Sequence, residues 1–199
     1  MGLNIKKFRS NLKKHLITKK KLLKSDTVNL ARIISEGKYS NLVLLNYEPR
    51  LEKFLYWAQQ LIAESLGKKG MGLFPIISNA PKDHHSLLQL YLDGPKDKMF
   101  YIFSTREKQG EKINLKRLKK KMSYINNKRL NDIKRAQQIS VKKILIKNNI
   151  PFREIAIQNN DPQTLGELFS YFILETILVG RLAGINPFNQ PAVEQVKIQ

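Results

Sequence analysis

Glu64 is the first residue whose type and position could do chemistry. It lies near the carboxyl end of a helix predicted to begin near Leu51, where the helix dipole disfavours a negative charge and makes a carboxylate a better proton acceptor. A positioned carboxylate of this kind suits general-base catalysis. The alternative is an exposed glutamate whose place on the helix has little consequence, and spacing alone leaves both interpretations open.

His84 and His85 are adjacent at the start of a predicted helix that follows a predicted strand. Ligand crevices of open α/β sheets lie at such positions, and a histidine there can exchange protons near neutral pH. Neighbouring residues of a helix point in different directions, so at most one of the two faces a given site. The alternative is a pair of ordinary surface or capping histidines.

A third candidate group lies near the end of the sequence. Pro191 is well placed as the first residue of a helix, which puts Gln190 at that helix's amino terminus and Lys197 two turns later. A helix amino terminus can hold an anion or a polar ligand group. By default Lys197 is one ordinary lysine among many. The sequence ends at Gln199, after about two and a half turns of this helix.

Several other kinds of site are excluded. The sequence contains no cysteine, which excludes disulfides, thiolate-bound metals and a cysteine nucleophile. It also lacks a glycine-rich phosphate loop, a serine-hydrolase elbow and a metal-spaced cluster of histidines and acidic residues. Generic motifs therefore do not identify the chemistry.

The elements that must position these side chains alternate between strands and helices. Apolar runs predict strands at residues 42–45, 72–77, 99–103 and 152–157. Helical spacing predicts helices from residue 51 to about 67, over 87–92, and from 161–162 to about 184. Within 112–148 it predicts one or two amphipathic helices, and a later helix from about 141 to 147. This alternation predicts an α/β fold, a doubly wound and mainly parallel sheet with helices on both faces.

The length of 199 residues suits one α/β domain with flanking segments. We expect an N-terminal basic helical segment at residues 1–40. An α/β domain should follow at 41–185, with a basic helical insertion at about 105–148. Residues 186–199 should begin a C-terminal helix.

Positive charge is concentrated in two segments. The net charge is +20, and residues 1–25 carry nine basic and no acidic groups while residues 105–147 carry fifteen basic and three acidic groups. Such segments could contact nucleic acid or anionic lipid, but they also suit solvated helix faces. Lysine predominates over arginine, and Tyr124 is the one aromatic residue of the second segment. Nucleic acid is therefore not the expected partner.

No segment has the pattern of an export signal or a bilayer span. Eight lysines are scattered through the first 25 residues, and charged residues interrupt the most apolar stretch, residues 165–185. We therefore expect a soluble, cytoplasmic protein with no membrane partner.

Three strings in the sequence resemble successive motifs of the glucose-6-phosphate isomerases, enzymes of glycolysis and gluconeogenesis. They are YWAQQLIAESLGK at residues 56–68, DHHSLLQ at 83–89 and GINPFNQPAVEQVK at 184–197. The strings occur in the family's order, and the third preserves the separation of seven residues between its glutamine and its lysine. The resemblance covers essentially the whole chain and is poorest across the lysine-rich residues 105–147.

The resemblance implies roles for four residues. Glu64 matches the base that moves a proton between C1 and C2 of an open-chain sugar phosphate through a cis-enediolate. His85, four residues before Gln89, matches the histidine that assists ring opening. Lys197 matches the lysine that assists ring opening, and Gln190 matches a substrate-contacting glutamine. Such proton transfer requires no metal or organic cofactor.

The resemblance also implies parts that this sequence lacks. In the family the fold is a pair of sugar-isomerase (SIS) domains, and the chain looks like the second. The first domain supplies phosphate-binding loops and an arginine that stabilises the enediolate, and the active site takes its histidine from the other subunit of a dimer. We therefore expect a fragment that belongs to a homodimeric enzyme and has little or no isomerase activity alone.

Two other interpretations stay open. The chain could be a non-catalytic SIS domain that binds sugar phosphates in a regulatory role, or a basic protein that binds nucleic acid. The joint presence of Glu64, His85, Gln190 and Lys197 favours descent from an active enzyme.

Overall fold

A computed structural model describes residues 4–10, 20–107, 110–113 and 124–197, with the side chains of 20–24, 196 and 197 outside that description. Its four strands are β1 (Asn41–Asn46), β2 (Phe74–Asn79), β3 (Lys98–Thr105) and β4 (Phe152–Ile157). They form one sheet in the order β2-β1-β3-β4, and every neighbouring pair is parallel.

Helices precede, connect and follow these strands. They are α1 at residues 5–10, α2 (Lys20–Glu36), α3 (Glu52–Leu66), α4 (Lys82–Ser86), α5 (Leu88–Asp93), α6 (Leu130–Lys147), α7 (Pro162–Leu182) and α8 (Pro191–Lys197). A 3₁₀ turn over Pro49–Leu51 leads into α3. The side chain of Asp161 caps α7 by accepting a hydrogen bond from the backbone N–H of Thr164 at 2.7 Å.

The sheet is buried on both faces because successive side chains of a strand point to opposite sides. In β1, Leu42 and Leu44 pack into a cluster with α2, α3 and α7, whereas Val43 and Leu45 pack into a second cluster with α5 and α6. The continuous apolar run at residues 42–45 is therefore what a central parallel strand requires. The predicted α/β fold with helices on both faces is confirmed.

Three predictions about the position of elements were wrong. The second strand occupies Phe74–Asn79, two residues beyond the predicted 72–77. No helix begins near Val141, because α6 is one helix that begins at Leu130, where the carboxylate of Asp132 accepts a hydrogen bond from the backbone N–H of Arg129 at 2.8 Å. The predicted helical stretch does not include residues 112–113, since Lys112 forms an isolated bridge with Arg129. Residues 114–123 lie outside the described residues.

The topology places the candidate site residues at two opposite edges of the sheet. Because α3 and α7 each follow a parallel strand and return antiparallel to it, their carboxyl ends lie at the edge where the strands begin. The short helix α4 starts directly after β2, so it lies at the edge where the strands end. None of the helices among the described residues has the length and apolarity that crossing a membrane requires.

A buried ion pair ties the outer strand β4 to α7. The guanidinium of Arg153 donates hydrogen bonds to both carboxylate oxygens of Glu175, and it lies over the ring of Tyr101 at 3.9 Å. The hydroxyl of Tyr171 donates to the same carboxylate at 3.1 Å. Glu175 is only 3% exposed, so its charge depends on these partners.

We expect Arg153→Met to lower the free energy of unfolding by about 3–5 kcal/mol, because it leaves the buried carboxylate of Glu175 without a cation. Urea denaturation at neutral pH measures the effect. The double variant Arg153→Met/Glu175→Leu removes both charges and should recover most of the loss. A loss below about 1 kcal/mol in the single variant would show that the ion pair does not hold β4 in place.

Candidate active site

The carboxyl ends of α3 and α7 and the start of α8 surround a cleft of about 830 Å³. The segment 67–71 after α3 and the segment 184–190 between α7 and α8 form its walls. This volume lies within the range of small-molecule sites. The cleft opens at the edge where the strands begin.

Glu64 and Gln190 meet in this cleft, although 126 positions separate them in the sequence. The side-chain amide of Gln190 donates to Glu64 Oε2 at 2.7 Å, and that of Gln60 donates to Glu64 Oε1 at 3.0 Å. A carboxylate can accept about four hydrogen bonds, so each oxygen keeps capacity for a ligand or a proton. The two amides therefore orient a half-buried carboxylate that faces the cleft.

The sequence analysis proposed Glu64 and Gln190 as candidate site residues but did not propose Gln60. The available signal was the separation of four residues between Gln60 and Glu64, which places both side chains on one face of α3. A glutamine one turn before a candidate base is a common pattern on solvent-facing helices. Its role emerges only from the hydrogen bond to the carboxylate.

The start of α8 follows the prediction made from Pro191. The backbone carbonyl of Gln190 accepts hydrogen bonds from the N–H groups of Val193 and Glu194, which closes the first turn. Gln190 thus sits at the amino terminus of α8 with its side chain turned to Glu64. Lys197 is the last residue of α8, but its side chain lies outside the described part of the chain, so its position relative to Glu64 is not defined.

The electrostatics of the cleft suit an anionic ligand. Among its lining residues in the described chain, Glu64 is the one acidic side chain and Lys68 and Lys69 are the basic ones. Burial lowers the pKa of Lys68 from its ordinary value. In the described part of the chain, no three histidine or acidic side chains lie close enough to hold a metal ion.

His85 is not part of this cleft. It lies exposed on α4, after the carboxyl end of β2, whereas Glu64 lies near the edge where β2 begins. The six residues of β2 separate the two edges by roughly 20 Å. One copy of the chain therefore cannot bring His85 and Glu64 together.

His84 instead makes an internal contact. Its Nε2 lies 2.8 Å from the hydroxyl of buried Tyr47, directly after β1, which fixes α4 against the end of that strand. Asp83 also fixes α4, because its carboxylate accepts hydrogen bonds from Ser78 and from the backbone N–H of Asn79. Burial, followed by the charge of His85, lowers the pKa of His84, while Asp83 opposes this shift.

The lowered pKa of His84 predicts a pH dependence of stability. As the pH falls below about 6.5, the unfolded chain binds a proton that folded His84 resists, so the free energy of unfolding should decrease. Urea denaturation between about pH 8 and pH 5 should show a shallower decrease for His84→Gln than for the unaltered protein. Parallel curves for the two proteins would contradict this assignment.

Comparison with known proteins found several glucose-6-phosphate isomerases that are similar to this chain. No protein-family model matches the chain. The glucose-6-phosphate isomerase of Methanocaldococcus jannaschii is 36% identical over 157 residues, which are 78% of this chain and 38% of that protein. A probable glucose-6-phosphate isomerase of Methanococcus maripaludis is 36% identical over 158 residues, or 78% and 35% of the two chains. The glucose-6-phosphate isomerase of Mycoplasmopsis synoviae is 35% identical over 166 residues, which are 81% of this chain and 38% of that protein.

Solved structures share the fold. A hypothetical protein of Thermus thermophilus matches with a TM-score of 0.87 and 23% identity over 99% of this chain and 49% of its own. A glucose-6-phosphate isomerase of Chlamydia trachomatis matches with a TM-score of 0.76 and 17% identity over 96% of this chain and 40% of its own. The chain thus spans 35–38% of the length of the curated relatives described above.

Proposed function

This chain is a homologue of the glucose-6-phosphate isomerases over 78–81% of its length, and on that premise we propose that it carries the proton-transfer base of such an enzyme. The proposed reaction is the interconversion of glucose 6-phosphate and fructose 6-phosphate. The observation that carries the proposal is the carboxylate of Glu64, held by two amides in a cleft of suitable size.

In the proposed mechanism, Glu64 removes the proton from C2 of the open-chain aldose. The electrons of that C–H bond form the double bond of a cis-enediolate between C1 and C2. Return of the proton from Glu64 to C1, together with transfer of the hydroxyl proton from O2 to O1, gives the ketose. The amides of Gln60 and Gln190 keep the carboxylate oriented during both transfers.

Ring opening is assigned to His85 and Lys197. A hemiacetal opens when a donor serves the ring oxygen and an acceptor serves the anomeric hydroxyl. Because His85 and Glu64 lie at opposite edges of one sheet, we propose that the His85 of a second copy completes each site. The working form is then a homodimer.

The rest of the catalytic machinery is proposed to come from the part of the enzyme that this chain does not span. Lys68 and Lys69 are cations that line the cleft, but both already donate hydrogen bonds to backbone carbonyls. Electrostatic stabilisation of the enediolate, which is usually the largest contribution to catalysis, needs a further cation beside the reacting atoms. The chain alone is therefore expected to have little or no activity.

A coupled assay for the conversion of fructose 6-phosphate into glucose 6-phosphate tests the proposal. It is applied to the chain alone and to a chimera in which the chain replaces the matching 157-residue segment of the Methanocaldococcus jannaschii enzyme. We expect no turnover by the chain and isomerase activity in the chimera. A folded, dimeric chimera that binds fructose 6-phosphate without turnover would instead favour the non-catalytic binding domain.

A further inference from the structure

Two lysines directly after α3 reach across the cleft to backbone carbonyls of the opposite wall. Lys68 Nζ donates to the carbonyl oxygen of Asn186 at 2.7 Å, and Lys69 Nζ donates to that of Gly184 at 3.0 Å. These bonds join residues 118 and 115 positions apart in the sequence. Hydrogen bonds from an ammonium group are stronger than those between neutral partners.

The segment that they hold is the one that carries Gln190. It follows the end of α7 and packs back onto Gly180 of that helix, where the backbone N–H of Ile185 donates to the Gly180 carbonyl at 2.7 Å. A Cβ at Gly180 would lie 3.2 Å from the Ile185 carbonyl oxygen and from Pro187, so the segment packs closely on the helix only up to that proline. After that proline, residues 188–190 are exposed.

The turn at Asn186 sets the direction of this exposed stretch. The side chain of Asn186 accepts a hydrogen bond from the backbone N–H of Phe188 at 3.0 Å, while its carbonyl oxygen is held by Lys68. Four residues later, Gln190 reaches Glu64. Lys68 and Glu64 are both near the end of α3, so the stretch is attached to that helix at both of its ends.

We propose that Lys68 and Lys69 are positioning residues that hold the segment 184–190 against the end of α3 and thereby place the amide of Gln190 on the carboxylate of Glu64. Lys68 contributes more to this positioning than Lys69, because its partner Asn186 lies closer to Gln190 in the sequence and because the Lys68 side chain is the less exposed of the two. The catalytic consequence rests on the proposed function of Glu64, whereas the geometric one does not.

Hydrogen–deuterium exchange of the full chain tests the geometric part without any need for activity. We expect Lys68→Met to speed the exchange of the backbone amides of Ile185 and Phe188, which are hydrogen-bonded on either side of Asn186, by about tenfold, as expected from the loss of one charged hydrogen bond. The side-chain amide signal of Gln190, identified by its loss in Gln190→Ala, should shift in the NMR spectrum. Lys69→Met should give a smaller effect centred on residue 184.

Two variants act as controls. Lys68→Arg keeps a cationic donor and should restore exchange close to that of the unaltered protein. Lys53→Met removes a lysine from the first turn of α3, where its ammonium lies over Tyr56. It should leave the hydrogen exchange of residues 184–190 unchanged. If folded Lys68→Met shows unchanged exchange and an unchanged Gln190 signal, the proposal is overturned.

The chimera described above tests the catalytic part separately. Lys68→Met should lower kcat by about tenfold with a smaller change in KM, and Lys68→Arg should recover most of it. An unchanged kcat together with faster exchange would overturn the positioning role. If the chimera with Lys68 intact shows neither binding nor turnover, the proposed function fails. Hydrogen exchange of the chain still tests whether Lys68 holds the segment 184–190 in place.

Discussion

Replacing Glu64 with glutamine should lower the kcat of the chimeric isomerase by about 10²- to 10⁴-fold, because an amide cannot accept the proton taken from C2. KM should change little, since glutamine has nearly the same volume and can still face the cleft. The coupled assay for fructose 6-phosphate measures both constants.

The matched control for this variant is Glu52→Gln. Glu52 lies in the first turn of α3, so the substitution makes the same change of charge on the same helix at the far end from the cleft. Its kcat should stay within about twofold of the unaltered chimera. If Glu64→Gln and Glu52→Gln behave alike, Glu64 is not the base.

The second large effect is recovery of activity on mixing two inactive variants. In the chimera, Glu64→Gln and His85→Gln should each abolish most turnover. Subunits mixed after unfolding and refolding should regain about a quarter of the full activity, because half of the dimers are mixed and one of their two sites is intact. This follows from the opposite positions of the two residues on the sheet, which prevent one copy from supplying both.

The control for complementation carries both substitutions in one chain. Mixing Glu64→Gln with the double variant Glu64→Gln/His85→Gln leaves no intact site in any dimer and should restore nothing. Recovery in this control, or none in the first mixture, would contradict a site shared between two copies.

The fold was predictable where local pattern and burial coincide. The apolar run at residues 42–45 is a central strand buried on both faces, and Asp161 followed by Pro162 caps the helix that it was expected to open. The start of α6 at Leu130 was missed because charged residues separate its apolar positions. Arg129, the residue before α6, has no side-chain acceptor, so the usual capping signal of a helix start is also missing there.

The site was predictable only in part, because its contacts join distant parts of the sequence. Glu64 has a recognisable place at a helix end, and Gln190 precedes a proline that opens a helix. Nothing in their spacing indicates the hydrogen bond between them. Lys68 and Lys69 are two of 27 lysines, and their carbonyl partners depend on how α3 and α7 end at the same edge of the sheet.

The central claim is that Glu64 carries the transferred proton, and isomerisation by the chimera in D₂O tests it most directly. We predict that NMR will show deuterium at C2 of glucose 6-phosphate and at C1 of fructose 6-phosphate, because a proton held by a carboxylate exchanges with solvent before it returns. Glu64→Gln should slow incorporation and conversion together, by the same factor of about 10² to 10⁴ as its kcat. Conversion without deuterium, or incorporation at an undiminished rate in Glu64→Gln, would contradict the account.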